Sequence, residues 1–566
     1  MRPSFKHRPD TVYVFGLILL SVALWLPRLR GPLDFRYDGG VYYILGTALA
    51  EGNGYRLLNE PGAIEAIQYP PLLPLFAAVH QLAVGSTHPG TTGPWLRLSF
   101  AVLFVSWILA VYRLSRHYLP QGFAFLATLI SLLHVNATWY SDLFFAEVPF
   151  AFTSTVFLLV ARRGEGWSRE ALAGALGAAS FLLRSAGITL LAAWVVESLL
   201  RHRFRQTVLR VAMTLLPLMG WQGYVAHVQR SEQYQHPTYS YQRAGYQQHN
   251  VGYWENMAYI DPFFPERGKL TAGLAVKRTL HHLATMPVRW GEALSSRAEW
   301  SVTELQRINR EVSAVEVPLW SVDLVLGAIG MFALAGLVVM AFRGERLVSV
   351  YVLLSVGLLC ATPWEGQFGR YLLPLTPLLA ASLFFALTAA GERLSKITRG
   401  RTVASALTIA LVTGTIGQEV VALFALYTKH ESLIYEDEQQ RQREYRLFFY
   451  TRPWRQHDAS IDWLRQRAKP GEIVATSTPH WTYLKTGLSA VSPPFEADPR
   501  EAQQLVESAR VNYLIVDSLD FATISQRYAA PVVDSSPERW ALIYSTPDKF
   551  SLIYRPVAPG RSTGSR

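Results

Sequence analysis

The sequence has 566 residues, of which 50% are hydrophobic, a formal net charge of +11 and a single cysteine, Cys360. With one cysteine, neither an intrachain disulfide nor a cysteine metal cluster can form. Most Arg and Lys residues fall in short segments between apolar runs. This distribution is typical of membrane proteins and disfavours nucleic acid as a partner, which would need a basic domain interleaved with aromatic residues.

Apolar residues are concentrated in runs about as long as a membrane-spanning helix. The first run follows basic residues, as in a signal sequence, but no small-residue cleavage site comes after it, so we interpret it as a retained helix. About eleven crossings are predicted, at residues 11–27, 95–112, 121–139, 144–161, 171–183, 186–200, 207–229, 318–342, 346–362, 371–390 and 402–427. The sequence therefore predicts an α-helical polytopic membrane protein.

Two of these runs, 171–183 and 186–200, are short for straight spans and flank Arg184 in the stretch FLLRSAG. This pattern favours a broken or re-entrant pair, and whether both runs cross the membrane is left open. In a re-entrant pair Arg184 would face a cavity and could bind phosphate. In one bent segment it would only satisfy the broken backbone.

Loop charge predicts the orientation of the chain. The N-terminus and the Arg-rich and Lys-rich loops fall on one side, which is expected to be cytoplasmic, with the protein in the inner cell membrane. The opposite, extracytoplasmic side then receives the long polar segments 28–94 and 230–317 and the C-terminal part of the chain. Short loops on both faces would be more usual for a channel or a carrier, so the activity is expected at this outer face.

The C-terminal part changes in character. EIVATS, NYLIVDS, WALIYS and FSLIYR predict short strands, and ASIDWLRQRA and PREAQQLVESA predict helices. We predict a membrane module over residues 1–430, a small extracytoplasmic (periplasmic) α/β domain over 431–556 and a disordered tail over 557–566.

The stretch RYDGGVYY places Asp38 just beyond the first apolar run. A carboxylate there could act as a general base, orient a sugar or help to hold a metal. The alternative is an ordinary solvated loop residue. The two glycines after it predict a sharp turn, and Tyr42 and Tyr43 are expected to anchor the next segment at the membrane interface.

The next motifs along the chain are LAEGNGYR and AIQYPPLLPLFAAV, followed later by YSDLFFAEVPF. The diproline introduces an apolar helix that could lie along the interface, with Glu65 and Tyr69 before it. Asp142 and Glu147 are predicted at the outer ends of the third and fourth spans. A charge near hydrocarbon is costly unless it has a function or a partner. The alternative is stabilisation of a helix N-terminus.

The stretch GQFGRYLLPLTPLL places Arg370 where an outer segment enters a helix, with Glu365 near enough in sequence to pair with it. A guanidinium matches phosphate oxygens in a bidentate arrangement. The alternative is an interfacial arginine whose head group reaches the lipid surface. Lys277, with Arg278 and Arg289, lies on a predicted amphipathic segment of the 230–317 region that could also meet phosphate.

These motifs, in this order on one predicted face, resemble membrane glycosyltransferases of the GT-C class. An acidic residue after the first helix, then G-x-G-Y and YPPLLPL, and later R-Y-L-x-P-x-x-P, is similar to the dolichyl-phosphate-mannose–protein mannosyltransferase-like proteins and to the bacterial aminoarabinose-lipid transferases. Some members carry an Asp-Glu pair in the first loop, whereas this chain has Asp38 followed by Gly39.

The resemblance implies a GT-C fold and transfer of a sugar from a polyprenyl-phosphate-linked donor to a lipid, glycan or protein acceptor within a membrane. It implies Asp38 as the catalytic base. The implied substrate-binding residues are Asp142, Glu147, Glu65, Arg370, Arg184, Tyr69 and Lys277. No cofactor is required by the pattern, and a divalent metal ion between carboxylates is left open, with its ligands unknown.

Two other classes of function are considered. A transporter or flippase of lipid-linked sugars would need polar residues through the membrane, and the predicted spans are almost free of internal charge. A non-catalytic assembly subunit would use the C-terminal domain for interaction, and Asp38 would then be dispensable.

Overall fold

The computed structural model describes residues 10–162, 166–311, 317–394, 396, 400–519 and 523–557. The basic N-terminal residues 1–9 and, of the predicted disordered tail, residues 558–566 lie outside these ranges. The chain forms two compact units, each assembled from separate stretches. The helical unit comprises Met1–Arg30, Arg97–Leu218 and Ala275–Lys429, and the mixed unit comprises Gly31–Leu96, Met219–Leu274 and His430–Arg566.

The helical unit is built from long apolar helices, three of which begin or end beyond its limits. The bounds are Thr11–Trp25, Pro89–Tyr118, Gln121–Leu133, Val135–Asp142, Glu147–Ala161, Trp167–Leu183, Ile188–Leu200, Phe204–Gln229, Ala272–Leu294, Ala298–Glu311, Trp320–Phe342, Arg346–Cys360, Phe368–Leu372, Thr376–Leu394 and Gly400–Thr428. Each of the eleven apolar runs found in the sequence falls on one of these helices or on two consecutive ones.

By length and composition, five helices of the described chain can cross a membrane: Thr11–Arg28, Pro89–Tyr118, Trp320–Phe342, Glu365–Leu394 and Ser405–Thr428. A sixth results if the bent pair Gln121–Leu133 and Val135–Asp142 is counted as one span. Some further apolar helices are shorter than a straight crossing requires, namely Leu72–Val84, Glu147–Ala161, Ser185–Leu200 and Arg346–Cys360. The chain is therefore a multi-pass membrane protein, and the number of about eleven crossings stays a prediction.

The bent pair has a clear cause. His134, between the two helices, leaves the helical conformation, and the helices meet at 50°. Glu419, fully buried on another helix, accepts a hydrogen bond from the backbone N–H of Val135 at 3.2 Å and lies 2.7 Å from Nδ1 of His134. The carboxylate thus supplies the acceptor that the interrupted helix lacks, which is how broken backbone is tolerated at membrane depth.

Close helix packing in this unit depends on glycines. A Cβ at Gly336, on Trp320–Phe342, would overlap the carbonyl oxygen of Ser382 on Thr376–Leu394. A Cβ at Gly330 would likewise overlap the carbonyl oxygen of Pro287. Small residues let helix backbones approach closely in membranes, where dispersion contacts replace the hydrophobic effect as the main source of association.

The mixed unit contains a five-stranded sheet. Its strands, in sheet order, are Ser489–Val491, Ile473–Ala475, Tyr513–Asp517, Ser551–Pro556 and Trp540–Ser545. The first three strands are parallel to one another. Ser551–Pro556 is antiparallel to both of its neighbours, and its Tyr554 lies opposite Leu514 of Tyr513–Asp517. Buried aliphatic and aromatic residues cover both faces, and the helices Arg452–Arg467, Pro479–Thr486 and Pro499–Ser508 pack there. The α/β character expected of the C-terminal part is confirmed.

Two β elements in the C-terminal part of this unit were not predicted from the sequence. One is the strand Ser489–Val491, which has only three residues. The other is the antiparallel hairpin His430–Glu436 with Gln442–Phe448. The alternating exposure along its first strand is typical of a hairpin with one covered face.

The segment after Arg36 differs from the expectation. Asp38 is the first residue of a helix, Asp38–Ala50, and both following glycines are helical, so the predicted sharp turn at the glycines is wrong. A Cβ at Gly40 would lie 2.8 Å from the carbonyl oxygen of Phe35 and 3.2 Å from Cβ of His480. Glycine is therefore needed for close packing. Tyr42 and Tyr43 are buried, so the predicted interfacial anchoring of these two residues is also wrong.

Candidate active site

Glu147 and two arginines meet within the helical unit. Glu147 begins the helix Glu147–Ala161 and is completely buried, and its Oε1 accepts hydrogen bonds from Nη1 of Arg184 and from Nε of Arg370. An acidic side chain in the first turn also interacts favourably with the helix dipole. Three of the predicted substrate-binding residues are thus brought together.

Local structure explains how each arginine reaches Glu147. The chain is extended at Arg184, which closes the helix Trp167–Leu183. A Cβ at the nearby Gly187 would lie 2.5 Å from the backbone nitrogen of Phe181, so the chain can turn back this tightly only with glycine there. The predicted break at Arg184 is present. Arg370 lies on the short helix Phe368–Leu372.

Aromatic rings support both cations. The Cζ atom of Arg370 lies 4.1 Å from the ring centroid of Phe145, and that of Arg184 lies 5.1 Å from the ring centroid of Tyr371. The arginine side chains keep 11% and 17% of their surface exposed, whereas the Glu147 side chain has none. These three side chains together carry one more positive than negative charge, which is the sign that an anion site requires.

Asp142 lies in a different environment. Its Oδ1 accepts a hydrogen bond from Nη1 of Arg97 at 2.9 Å and lies 4.0 Å from Nη1 of Arg28, and all three side chains are almost completely buried. Arg28 also donates to the carbonyl oxygen of Thr138 and to Oγ of Ser141. This buried ion pair joins three helices. The predicted substrate contact of Asp142 stays a prediction, and its geometry is that of a structural link.

Arg28 and Arg97 were not among the predicted site residues. A signal for Arg97 exists in the sequence, because it lies inside the apolar stretch PWLRLSF, where an unpaired cation would be costly. Its partner could not be read from the pattern. Asp142 is 45 residues away from Arg97 along the chain.

Glu365 has a partner other than the one expected from the sequence. Glu147 takes the hydrogen bond from Arg370, and Oε1 of Glu365 accepts a hydrogen bond from Nη2 of Arg289 at 2.9 Å. Lys277 lies exposed on the helix Ala272–Leu294. Next to it, Arg278 donates from Nη2 to the carbonyl oxygen of Ala361, while its buried Nε and Nη1 have no hydrogen-bond partner within the described ranges.

The remaining predicted residues belong to the mixed unit. Asp38 is half-buried at the start of its helix. The chain before it is fixed by Asp34, which accepts a hydrogen bond from Nη2 of Arg36 at 2.7 Å with both side chains buried. Glu65 lies 3.8 Å from Nη2 of Arg56, on two short paired strands. Asp38 is thus held at the end of a well-defined segment.

Tyr69 is part of a ring cluster that the sequence analysis did not predict. Its ring centroid lies 4.5 Å from that of Tyr42 and 5.7 Å from that of His249, which in turn lies 4.7 Å from that of His480. Burial lowers the pKa of His480 well below its usual value, and the neighbouring His249 lowers it further. His480 is therefore neutral at physiological pH.

The described residues were also considered as metal ligands. No group of three or more His, Cys, Asp or Glu side chains in this part of the chain is placed to share one ion. The carboxylates of Asp142 and Glu147 are each engaged by arginines, which compete with a cation for the same oxygens. These residues do not form a dedicated metal centre.

Comparisons with known proteins show the fold. No family model matches the sequence, and no curated protein does. The archaeal oligosaccharyltransferase AglB from Archaeoglobus fulgidus, in complex with an inhibitory peptide and a dolichol-phosphate, is 13% identical, with a TM-score of 0.53 over 98% of this chain and 75% of that chain. Its apo form gives 15% identity and a TM-score of 0.53 over 99% and 76%. The chain has a GT-C fold.

A further structure of AglB, a complex with Zn and sulfate, has a TM-score of 0.53 and 14% identity over 96% of this chain and 73% of that chain. ArnT from Cupriavidus metallidurans in the apo state covers 97% of this chain and 98% of that chain at 12% identity, but its TM-score of 0.43 is too low to carry an argument. The GT-C fold predicted from the motifs is confirmed. The roles of the individual residues stay predictions, because identities this low show the fold alone.

Proposed function

We propose that this GT-C chain is a glycosyltransferase. It moves a sugar from a polyprenyl-phosphate-linked donor to a lipid, glycan or protein acceptor at the extracytoplasmic face of the inner membrane. The observation that carries the proposal is the pair of arginines, Arg184 and Arg370, held on one buried carboxylate, with 17% and 11% of their side-chain surface exposed. AglB, which has the same fold, was captured with a dolichol-phosphate, and this supports a lipid phosphate as the ligand of such a fold.

The arginines would act on the leaving group. As the bond between the anomeric carbon and the phosphate oxygen breaks, its electron pair goes to the polyprenyl phosphate, which gains negative charge. Fixed guanidiniums that bind this phosphate stabilise the transition state more than the ground state. Arg370 and Arg184 are already oriented by Glu147 and by their aromatic neighbours, so little reorganisation would accompany the reaction.

Asp38 is the proposed base. It would accept the proton of the acceptor hydroxyl as that oxygen attacks the anomeric carbon, and direct attack would invert the configuration there. Oε2 of Glu147 is buried and has no hydrogen-bond partner in the described part of the chain. It is a candidate acceptor for a sugar hydroxyl. Glu65, Tyr69 and Lys277 are proposed to contact the substrates.

The orientation of the chain, with the N-terminus cytoplasmic, is part of the proposal and rests on the loop charges. Whether a divalent metal ion takes part is left open in the proposal, and no step above depends on one. Transfer assays run with EDTA, and again after addition of Mg²⁺ or Mn²⁺, test directly whether activity requires a metal ion.

The decisive experiment is a transfer assay with purified full-length protein. Radiolabelled polyprenyl-phosphate sugars and a membrane extract as acceptor source are supplied to the wild type, to Asp38→Asn and to Glu51→Gln. Glu51 is an exposed acid at the other end of the Asp38–Ala50 helix and serves as the matched control. We expect transfer by the wild type and the control, and a loss of at least about 10²-fold for Asp38→Asn.

Two results would contradict the proposal. Equal transfer by wild type and Asp38→Asn would remove Asp38 from the chemistry. If the protein binds the labelled donors but transfers sugar from none of them, the glycosyltransferase assignment itself is contradicted.

A further inference from the structure

The helical unit contains a second arginine-rich site, far from Glu147. A cleft of about 230 Å³ lies where the helices Glu147–Ala161 and Ile188–Leu200 end. The helix Glu147–Ala161 has 15 residues, so the cleft is separated from Glu147 by about 20 Å along that helix. The cleft is therefore distinct from the cluster proposed for the donor.

The lining of the cleft is strongly basic. It contains three glutamates and six arginines, namely Arg162, Arg201, Arg203, Arg210, Arg343 and Arg346. These side chains leave an excess of three positive charges in a concave site. An excess of one sign in a cleft attracts a ligand of the opposite sign.

The three glutamates are already used within the protein. Arg210 donates to Glu170 at 2.9 Å and to Glu197 at 2.8 Å, and Arg162 donates from Nη2 to Glu345 at 2.8 Å. These pairs hold the walls of the cleft in place. Arg201 also pairs with Glu197, and three glutamates cannot balance the charges of six arginines.

Donor groups remain available for a ligand. Nη1 of Arg162 is buried and has no hydrogen-bond partner in the described ranges. Arg346 is exposed and donates to the carbonyl oxygen of Leu200 at 3.0 Å, which leaves its other donors available. Arg343 makes a long, exposed contact of 3.4 Å with Glu392, and its Cζ atom lies 5.0 Å from the ring centroid of Phe385. An anion with several oxygen atoms would satisfy all three.

Apolar residues next to the cleft point to the kind of anion. Phe342, which precedes Arg343, is 89% exposed, and Phe204, just after Arg203, is 64% exposed. Leu200, which precedes Arg201, is 45% exposed. These side chains belong to helices of a membrane protein, so hydrocarbon is their natural surrounding. A basic cleft whose lining arginines directly follow or precede exposed apolar residues in the sequence fits an amphiphile better than a water-soluble anion.

We propose that this cleft binds the headgroup of an anionic phospholipid. The phosphate oxygens would accept hydrogen bonds from Arg162, Arg343 and Arg346, whose planar guanidiniums match phosphate geometry. The acyl chains would cover Phe342, Phe204 and Leu200. The cleft is smaller than the usual 300–1,000 Å³ of a site for drug-sized ligands, which suits a small polar headgroup with its chains outside.

The test uses thermal unfolding of the purified full-length protein in a neutral detergent. Phosphatidylglycerol, phosphatidylcholine and inorganic phosphate are added separately to the wild type, to the double variant Arg343→Gln/Arg346→Gln and to Arg393→Gln. All three replaced arginines are exposed, so folding should tolerate the changes. Arg393→Gln removes one exposed positive charge outside the cleft lining and serves as the control.

We expect phosphatidylglycerol to raise the Tm of the wild type and of Arg393→Gln by a few degrees, and to leave the Tm of the double variant unchanged. Equal protection by phosphatidylcholine would overturn the proposal, because that headgroup has no net charge. Equal protection by inorganic phosphate would overturn the lipid assignment. Undiminished protection of the double variant would overturn the assignment to this cleft.

A second measurement covers the case in which the double variant does not fold. Native mass spectrometry counts phosphatidylglycerol molecules bound to the wild type and to Arg346→Gln alone. We expect one retained lipid on the wild type and at least a tenfold weaker Kd for the variant, and equal binding would contradict the proposal.

Discussion

Arg370 donates a hydrogen bond from Nε to Oε1 of Glu147, a residue 223 positions earlier in the chain. Arg184 donates to the same oxygen atom from 37 positions away. One fully buried carboxylate therefore fixes two guanidiniums from separate parts of the helical unit. The relationship has a structural consequence, because both guanidiniums share one carboxylate as an ion-pair partner. It also has a chemical consequence, because that carboxylate orients both guanidiniums.

The structural consequence is tested by Glu147→Gln. Removing this charge takes away the buried carboxylate that both arginines share, and breaking a buried ion pair costs about 3–5 kcal/mol of the free energy of unfolding. The measurement is thermal or chemical unfolding of the purified protein. Glu304→Gln is the control, because Glu304 forms an exposed pair with Arg307, which is worth less than about 1 kcal/mol. Equal losses in both variants would contradict the assignment of Glu147 as the organising carboxylate.

The chemical consequence is tested at the two arginines. We expect Arg370→Gln and Arg184→Gln to lower kcat for sugar transfer by about 10²-fold, the size of effect seen when one donor to a developing charge is removed. The lysine variants should keep part of the activity, because they retain the charge and lose the planar fork. Unchanged kcat and KM in a variant would remove that arginine from the donor site, and Arg393→Gln reports any effect of general charge loss.

The buried pair of Arg97 and Asp142 is expected to act on stability. Each single variant, Arg97→Leu or Asp142→Leu, breaks this buried ion pair and should cost about 3–5 kcal/mol of the free energy of unfolding. The double variant should lose less than the sum of the two. A double-mutant cycle on unfolding measures this coupling. Additive losses would show that the pair is not coupled. A rise in KM for the acceptor in folded Asp142→Asn would instead favour the predicted substrate contact.

His480 is expected to make the stability of the mixed unit depend on pH. Its pKa in the folded protein is lowered by burial and by His249, so the folded state disfavours its protonation. The stability is therefore fully present above the ordinary histidine pKa of about 6.5 and falls as the pH decreases toward the folded pKa. Unfolding midpoints between pH 8 and 5.5 should fall more steeply for the wild type than for His480→Gln. The exposed His281→Gln should follow the wild type, and identical slopes for all three would contradict this prediction.

Gly40→Ala is expected to destabilise the segment that carries Asp38. The added Cβ would meet the carbonyl oxygen of Phe35 at 2.8 Å, and overpacking of this kind costs about 1–3 kcal/mol of the free energy of unfolding. Gly220→Ala is the matched control, because nothing lies within 4 Å of its Cβ position on an exposed helix face. It should stabilise the protein by about 0.5–1 kcal/mol or leave it unchanged. A lower Tm in the control alone would contradict this account of the two glycines.

Most helices and strands could be predicted because they depend on local pattern, whereas the GT-C fold was predicted from the resemblance of the motifs to known families. Apolar runs identified the helices, and alternating short segments identified four of the five strands in the main sheet. The strand Ser489–Val491 was missed because three residues give too little periodicity. The glycines after Asp38 predicted a turn, because a pair of glycines is normally a turn signal. In the structure Gly40 instead permits close packing against Phe35 and His480, and a packing contact between distant residues is not visible in local sequence.

The sequence by itself determined which residue types could carry chemistry, namely an acid after the first helix and arginines at helix ends. It could do so because a charge beside a long apolar run is conspicuous in any membrane protein. Only the tertiary structure decided the partners. Glu147 meets Arg184 and Arg370, whereas Asp142, five residues earlier, is enclosed by Arg28 and Arg97. The two carboxylates lie in the same short stretch, and their environments differ because helix packing brings different distant arginines to each.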